Sequence, residues 1–155
     1  MRNQASRRPF RSPYEKALGL VFLPRLIDKM RAVGTPTLDG YNYMTVGMDA
    51  TVLGFLEVDG DVLEAYVREG HNDDRVYAWI QAHGRHYDAA DAGGLNHRIL
   101  DRGQRSDEEK ATFEARRAQR HPGREDLRYY VDLIEADEGG EIRARPLPKS
   151  AYEPE

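Results

Sequence analysis

Leu23-Pro24-Arg25-Leu26-Ile27-Asp28-Lys29-Met30 is the stretch on which the reading of this chain turns. Proline is at home in a first helical turn, where its missing N–H has no intrahelical bond to lose. Leu23, Leu26, Ile27, Met30 and Val33 then fall at helical spacing, and Gly34 and Pro36 end the run. The apolar residues take one face. Arg25 and Lys29, four apart, stand side by side on another. Like charges one turn apart repel unless something answers them, and Asp28 is placed to answer Arg25 or Arg31. Two readings follow. In one, the charges form an ion-pair network that fixes this helix to its neighbours. In the other, they form an anion or phosphate cradle, Arg25 offering a planar fork and Lys29 a point charge. Tyr41 or Tyr43, from the loop that follows, would close over it.

Downstream, the pattern repeats at shorter length. Thr35 to Gly47 reads as a loop, with a short extended piece where Tyr41 and Tyr43 alternate. Asp49 is placed to cap a helix carrying Val52, Leu53, Phe55 and Leu56. Asp61 with Glu64 forms a capping-box pattern ahead of Val62, Leu63, Tyr66 and Val67. Asn72 or Asp73 caps a further helix whose Val76, Trp79, Ile80 and His83 share a face. A weaker helix starts at Asp88, is interrupted at Gly93-Gly94 and runs on through Ile99. Ser106 with Glu109 begins a very polar segment whose one large apolar residue is Phe113, so it is either exposed or marginal. Leu127, Tyr130, Val131 and Ile134 mark a last helix, ended by Gly139-Gly140.

The expected fold is mainly α: an orthogonal array of six or seven short helices, since helices this short are held by packing rather than by propensity. Residues 1–12 read as a basic arm with Arg2, Arg7, Arg8 and Arg11 and no acid. Residues 13–137 read as one helical domain, and 138–155 as a tail punctuated by Pro146, Pro148 and Pro154. Both ends are expected to be disordered or extended.

The 155 residues suit a single core of modest size, with 39% hydrophobic and 32% charged side chains. A net charge of −4 gives no global pull toward nucleic acid or anionic lipid. The chain has no cysteine, which excludes disulfides, thiolate nucleophiles and cysteine-based zinc sites. The longest apolar run, Leu18 to Leu23, is far too short for a membrane span. The N-terminus also lacks the apolar stretch of a secretory signal. A cytoplasmic protein without membrane contact is the expectation.

No catalytic or metal-binding motif stands out, and no cofactor fingerprint is present. His71-Asn72-Asp73-Asp74 gathers a histidine and two carboxylates, yet helix capping accounts for these residue types. His83 and His86 have ligand-like spacing, but Gly84 between them ends the helix and no third ligand adjoins. Tyr66, Tyr77 and Trp79 read as core or interface aromatics.

Leu23-Pro24-Arg25 with Asp28-Lys29, then Gly40-Tyr41 with Tyr43, then Asp49 ahead of an apolar helix, then Asp73-Asp74 with Trp79, resemble one family over roughly residues 10–136. It is the bacterial family known as domain of unknown function 5069. The resemblance departs at Ala92-Gly93-Gly94-Leu95-Asn96, where the family carries tryptophan at the Leu95 position. It implies a compact domain in which Arg25, Asp28, Lys29, Tyr41, Tyr43 and Asp49 act together. It implies no activity. Three functions stay open: a non-enzymatic module for a small anion or an acidic protein segment, an enzyme using Asp28, Asp49, Tyr41 and a histidine in a pocket, and nucleic-acid binding through the arginine arm.

Overall fold

The structure is a computed structural model that describes residues 8–146. Its described residues divide into two units, one of Pro9–Asn96, the other of residues 97–146 together with Arg8. The described residues form seven α-helices and one small hairpin. None of the helices is long and apolar enough to cross a membrane.

In the first unit, β1 (Lys16–Ala17) pairs antiparallel with β2 (Leu20–Val21). The turn between them puts Leu18 at φ 53° and Gly19 at φ 78°. Two successive positive φ values are what a two-residue type I′ hairpin turn requires, and Gly19 accepts one of them without strain. Strands this short give no period-two signal, so the sequence showed only an apolar run here. The Asn96 side chain holds the hairpin. Its Oδ1 accepts from the Val21 N–H, and its Nδ2 donates to the Gly19 carbonyl, both at 2.9 Å. The Tyr87 hydroxyl donates to the Leu18 carbonyl at 2.6 Å.

Phe22 then takes a left-handed conformation, φ 73°, as the cap of α1 (Leu23–Arg31). This helix has Pro24 in its first turn and buries Leu23, Leu26, Ile27 and Met30, as the spacing predicts. A 3-10 turn covers Pro36–Leu38, and no strand forms at Tyr41–Tyr43. The loop there is held by contacts to α1 instead.

Helix α2 spans Gly47–Leu56 with Val46 as its cap, so Asp49 is not the cap but lies in the first turn. Its carboxylate is drawn into the fold by a lysine rather than turned to the helix's own N–H groups. Helix α3 (Gly60–Arg68) is capped by Asp59, not Asp61, and the Asp59 carboxylate accepts from Asp61 and Val62 N–H groups. Glu64 consequently has no capping task and bonds Tyr43. Leu63 and Val67 are buried, whereas Val62 is 52% exposed. Helix α4 (Asp73–His83) is capped by Asn72, whose Oδ1 accepts from the Arg75 N–H at 3.0 Å.

Between α3 and α4 four rings stack in a column, three of them half-buried and His83 exposed. Tyr66 lies 4.0 Å from His71 and 5.6 Å from Trp79, and Trp79 lies 4.2 Å from His83. Gly84 follows where only glycine fits, because a Cβ there would meet the Leu56 and Ile80 carbonyls. Asp88 and Asp91 exchange reciprocal backbone-to-carboxylate bonds at the start of α5 (Ala89–Leu100). Gly93 and Gly94 do not interrupt that helix.

In the second unit, α6 (Asp107–Arg120) is packed through one residue. Phe113 is fully buried with Leu127 and Leu133, and Tyr130, Ala136 and Ile142 pack against them. Ser106 caps α6, but Glu109 reaches past the cap to the Gly103 and Arg105 N–H groups and the Arg105 guanidinium. Helix α7 spans Tyr130–Asp137, its start fixed by the Asp132 carboxylate accepting from the Arg128 and Tyr129 N–H groups. Arg8 grips Glu135 through two bonds of 2.6 and 2.8 Å.

Candidate functional site

The six candidate residues all fall in the unit Pro9–Asn96, around α1, where they form two clusters rather than one. The first cluster is buried. Lys29 Nζ donates to the Asn42 carbonyl at 3.0 Å and meets the Asp49 carboxylate at 3.2 Å. The carboxylate also accepts from the Met44 N–H at 3.0 Å. Side-chain exposure is 5% for Lys29 and 1% for Asp49. Burial pushes the Asp49 carboxyl above its ordinary value, against the pull of Lys29, the Met44 N–H and Arg25.

Arg25 extends this cluster and is only 1% exposed. Its Nη1 donates to the Arg11 carbonyl at 3.2 Å. Its guanidinium lies 5.6 Å from the Phe10 ring, 5.9 Å from Phe22 and 5.8 Å from Tyr41. Phe10 and Tyr41 themselves meet edge to face at 4.9 Å. Three aromatic faces around a desolvated cation stabilise it through their quadrupoles. The Phe22 ring also lies 5.1 Å from Lys29 Nζ. A left-handed Phe22 costs roughly 1–2 kcal/mol. The conformation coincides with a ring aimed at both buried cations.

The second cluster lies nearer the surface. Asp28 accepts from the Arg11 backbone N–H at 2.7 Å and from its guanidinium at 2.8 Å. Arg11 also reaches Asp73 at 2.7 Å, and Arg31 reaches Asp73 at 2.8 Å. Arg31 lies 3.9 Å from Asp28, so of the two partners read for Asp28 only Arg31 is met, and Arg11 supplies the main contact. The guanidinium of Arg11 holds the Asp73 carboxyl below its ordinary value, and Arg31 assists. Tyr77 lies half-buried beside Arg11, its hydroxyl pushed up mainly by burial.

Asp28 and Asp49 are therefore held by different partners, the one by Arg11 and the other by Lys29. Tyr41 covers Arg25. Tyr43 instead donates its hydroxyl to Glu64 at 2.6 Å, and burial followed by that bond raises its pKa. Beside the two tyrosines an open cleft of about 650 Å³ is lined by Gly34, Thr35, Pro36, Leu38, Asp39, Gly40, Tyr41 and Tyr43. Arg68 sits next to it, with Nη2 3.9 Å from where a Gly34 side chain would begin. Sequence reasoning missed Phe10, Phe22 and Asn42, and it read Arg11 as part of a basic arm and Glu64 as a capping residue. Phe22 directly precedes α1, where nothing in sequence shows its ring turned to Arg25 and Lys29, and only the fold brings Phe10, Arg11 and Asn42 to α1 and Glu64 to Tyr43. Among the described residues no three histidine, aspartate or glutamate side chains converge as metal ligands would.

The model of the family termed domain of unknown function (DUF5069) matches residues 7–140. The chain belongs to this family. No curated protein matches the chain. At the Leu95 position the side chain is fully buried, beside the Asn96 that holds the hairpin. In this family member Lys29 and Asp49 meet inside the fold and Arg25 is buried one turn before Lys29 on α1, while the matched region ends at residue 140, after α7.

Proposed function

We propose that the chain is a non-enzymatic binding module for a small anion, with the cleft beside Tyr41 and Tyr43 as its site. In this reading Arg25, Lys29 and Asp49 position the loop, Asp28 fixes Arg11 against α1, and Tyr41 and Tyr43 form the walls of the cleft. Arg68 supplies the cation that meets the ligand. The observation that carries the reading is the destination of the buried charges. Lys29 ends on Asp49 of α2 and on the Asn42 carbonyl, and Asp49 accepts from the Met44 N–H, so the loop bearing Tyr41 and Tyr43 is hydrogen-bonded at Asn42 and Met44 to a salt bridge held out of water between α1 and α2. A carboxylate enclosed in that way has no open approach for a substrate, which argues against acid–base chemistry at Asp49. The absence of cysteine supports a reducing, cytoplasmic setting, and the family resemblance a bacterial one.

The test is thermal denaturation against inorganic phosphate, nucleotides and dicarboxylates. The expected result is a saturable rise in Tm for at least one anion, lost in Arg68→Ala and reduced in Tyr43→Phe. An equal rise in Arg68→Ala, or none with any anion, would overturn the reading.

A further inference from the structure

A different place, in the unit from His97 onward, holds a cation in a built pocket. Asp101 follows the last residue of α5, and its side chain is only 3% exposed. Its Oδ1 accepts from Arg145 Nη1 at 3.0 Å, and its Oδ2 lies 3.3 Å from His97 Nδ1. Arg145 Nη2 donates to the Leu100 carbonyl. The same guanidinium stacks on the Tyr129 ring at 4.0 Å from its centroid.

Each wall favours a cation for its own reason. A buried carboxylate requires a charged partner. The last carbonyls of a helix lack intrahelical donors and carry the negative end of its dipole. A tyrosine face attracts a guanidinium. The pocket also reads the backbone beyond the arginine, because the Tyr129 hydroxyl donates to the Pro146 carbonyl at 2.7 Å. A residue before proline is confined to extended geometry, so an arginyl-prolyl pair arrives already shaped.

The walls and the occupant lie on opposite sides of the end of the family match. Leu100, Asp101 and Tyr129 lie within the family-matched residues, which end at 140, whereas Arg145 and Pro146 lie beyond them. The occupant is carried by a strap, residues 141–146, that follows Gly139-Gly140 and forms no helix or strand. Ile142 packs against the Phe113 cluster and fixes the strap once more along its length. The occupancy is thus that of a peptide laid on a domain.

We propose that Leu100, Asp101 and Tyr129 form a receptor for an arginyl-prolyl segment of another protein, and that the chain's own Arg145-Pro146 fills it until displaced. The partner inserts its arginine between Asp101 and Tyr129 and passes its proline carbonyl to the Tyr129 hydroxyl. The strap competes at high effective concentration, since it is tethered only a few residues away. The receptor is separate from the anion cleft, and neither reading depends on the other.

The experiment uses full-length protein and a synthetic peptide of residues 141–148, Glu-Ile-Arg-Ala-Arg-Pro-Leu-Pro, in calorimetry. The Arg145→Ala protein is expected to bind it at least tenfold more tightly than wild type. Binding should vanish for a peptide with alanine in place of the second arginine, and in the Asp101→Asn/Arg145→Ala protein. Equal affinity for wild type and Arg145→Ala, or binding that survives Asp101→Asn, would overturn the proposal. Should Arg145→Ala not fold, limited trypsin digestion of wild type decides. Cleavage after Arg143 should accelerate and saturate with an added peptide of residues 144–148, Ala-Arg-Pro-Leu-Pro, whose one arginine precedes proline and is not cut by trypsin, and a rate indifferent to it overturns the proposal. Wild type should keep a monomer mass at all concentrations in light scattering. A dimer that dissociates in Arg145→Ala would assign the pocket to strap exchange between copies and overturn it equally.

Discussion

The two neighbouring charges Asp28 and Lys29 on α1 were given opposite surroundings. Lys29 and Asp49 meet almost out of water, at 5% and 1% exposure. Asp28, Arg11, Arg31 and Asp73 form a larger network, but Arg11, Arg31 and Asp73 keep 34 to 35% of their side chains exposed. By count of contacts the second group should matter more. Physics ranks them the other way. Water competes for every bond of the exposed group, so such pairs contribute about 0–1 kcal/mol each. A buried pair gains little over an apolar replacement, yet leaving one member alone is severe. The buried pair thus acts as a condition the fold has to satisfy, and the exposed one as an adjustable fastening.

The hardest way to break this contrast is Lys29→Ala. It leaves the Asp49 carboxylate enclosed without its cation, and urea denaturation should show a loss of about 3–5 kcal/mol. A loss below about 1 kcal/mol would mean that water reaches Asp49, and the contrast would collapse. Replacing both partners, Lys29→Met with Asp49→Leu, removes the charges together. The double variant should return to within about 1 kcal/mol of wild type, the residual being the Met44 N–H left without its acceptor. If it is instead as unstable as the sum of its single variants, the pair is not coupled as described. Arg11→Ala should cost about 1 kcal/mol, and 1 M sodium chloride should shrink that difference while leaving the Lys29 effect nearly intact. Equal salt sensitivity at both places would erase the distinction.

The smallest effect is in pH. Asp49 is shifted above 3.8 by burial, so its contribution to stability is fully present below 3.8 and is lost as pH rises through its folded value. Asp73 is shifted below 3.8 by Arg11, so its contribution is present above 3.8 and is lost as pH falls through its folded value. Carboxyl carbon shifts followed by NMR should therefore titrate at higher pH for Asp49 than for Asp73. The reverse order would place the burial at the wrong cluster.

The parts legible in sequence are those where one helix carries its own signal. Pro24 and the spacing of Leu26, Ile27 and Met30 mark α1, and Asn72 and Ser106 mark helix starts, because capping and periodicity are local effects. The loop after α1 reads in sequence as closing Tyr41 or Tyr43 over an anion held by Arg25 and Lys29; in the structure the Tyr41 ring lies against the Arg25 guanidinium itself. Asp49 and Asp61 mislead for one shared reason. An aspartate near a helix start looks the same whether it bonds the helix's own N–H groups or something distant, and Asp49 bonds Lys29, twenty residues away. Arg11 illustrates the limit. Its partners are 17 and 62 residues along the chain, and in sequence it is one more arginine among basic neighbours. The hairpin was illegible because two residues per strand show no alternation, and its turn lacks the asparagine-glycine pair that marks such turns.

The hairpin also bears on how little backbone a ribbon needs. Two strands of two residues are below what holds together in water. Asn96 presents a carbonyl oxygen and an amide N–H to Val21 and Gly19, the same pair of groups that a neighbouring strand's peptide would present. One side chain on a helix thereby serves as a surrogate third strand, closing an edge that would otherwise invite another chain. The chemistry of that substitution is specific. Hydrolysis of the Asn96 amide to aspartate, water adding as ammonia leaves, would keep the acceptor facing Val21 and delete the donor to Gly19. It would set a negative charge against a carbonyl oxygen, so an ageing reaction of one amide would undo half of a sheet.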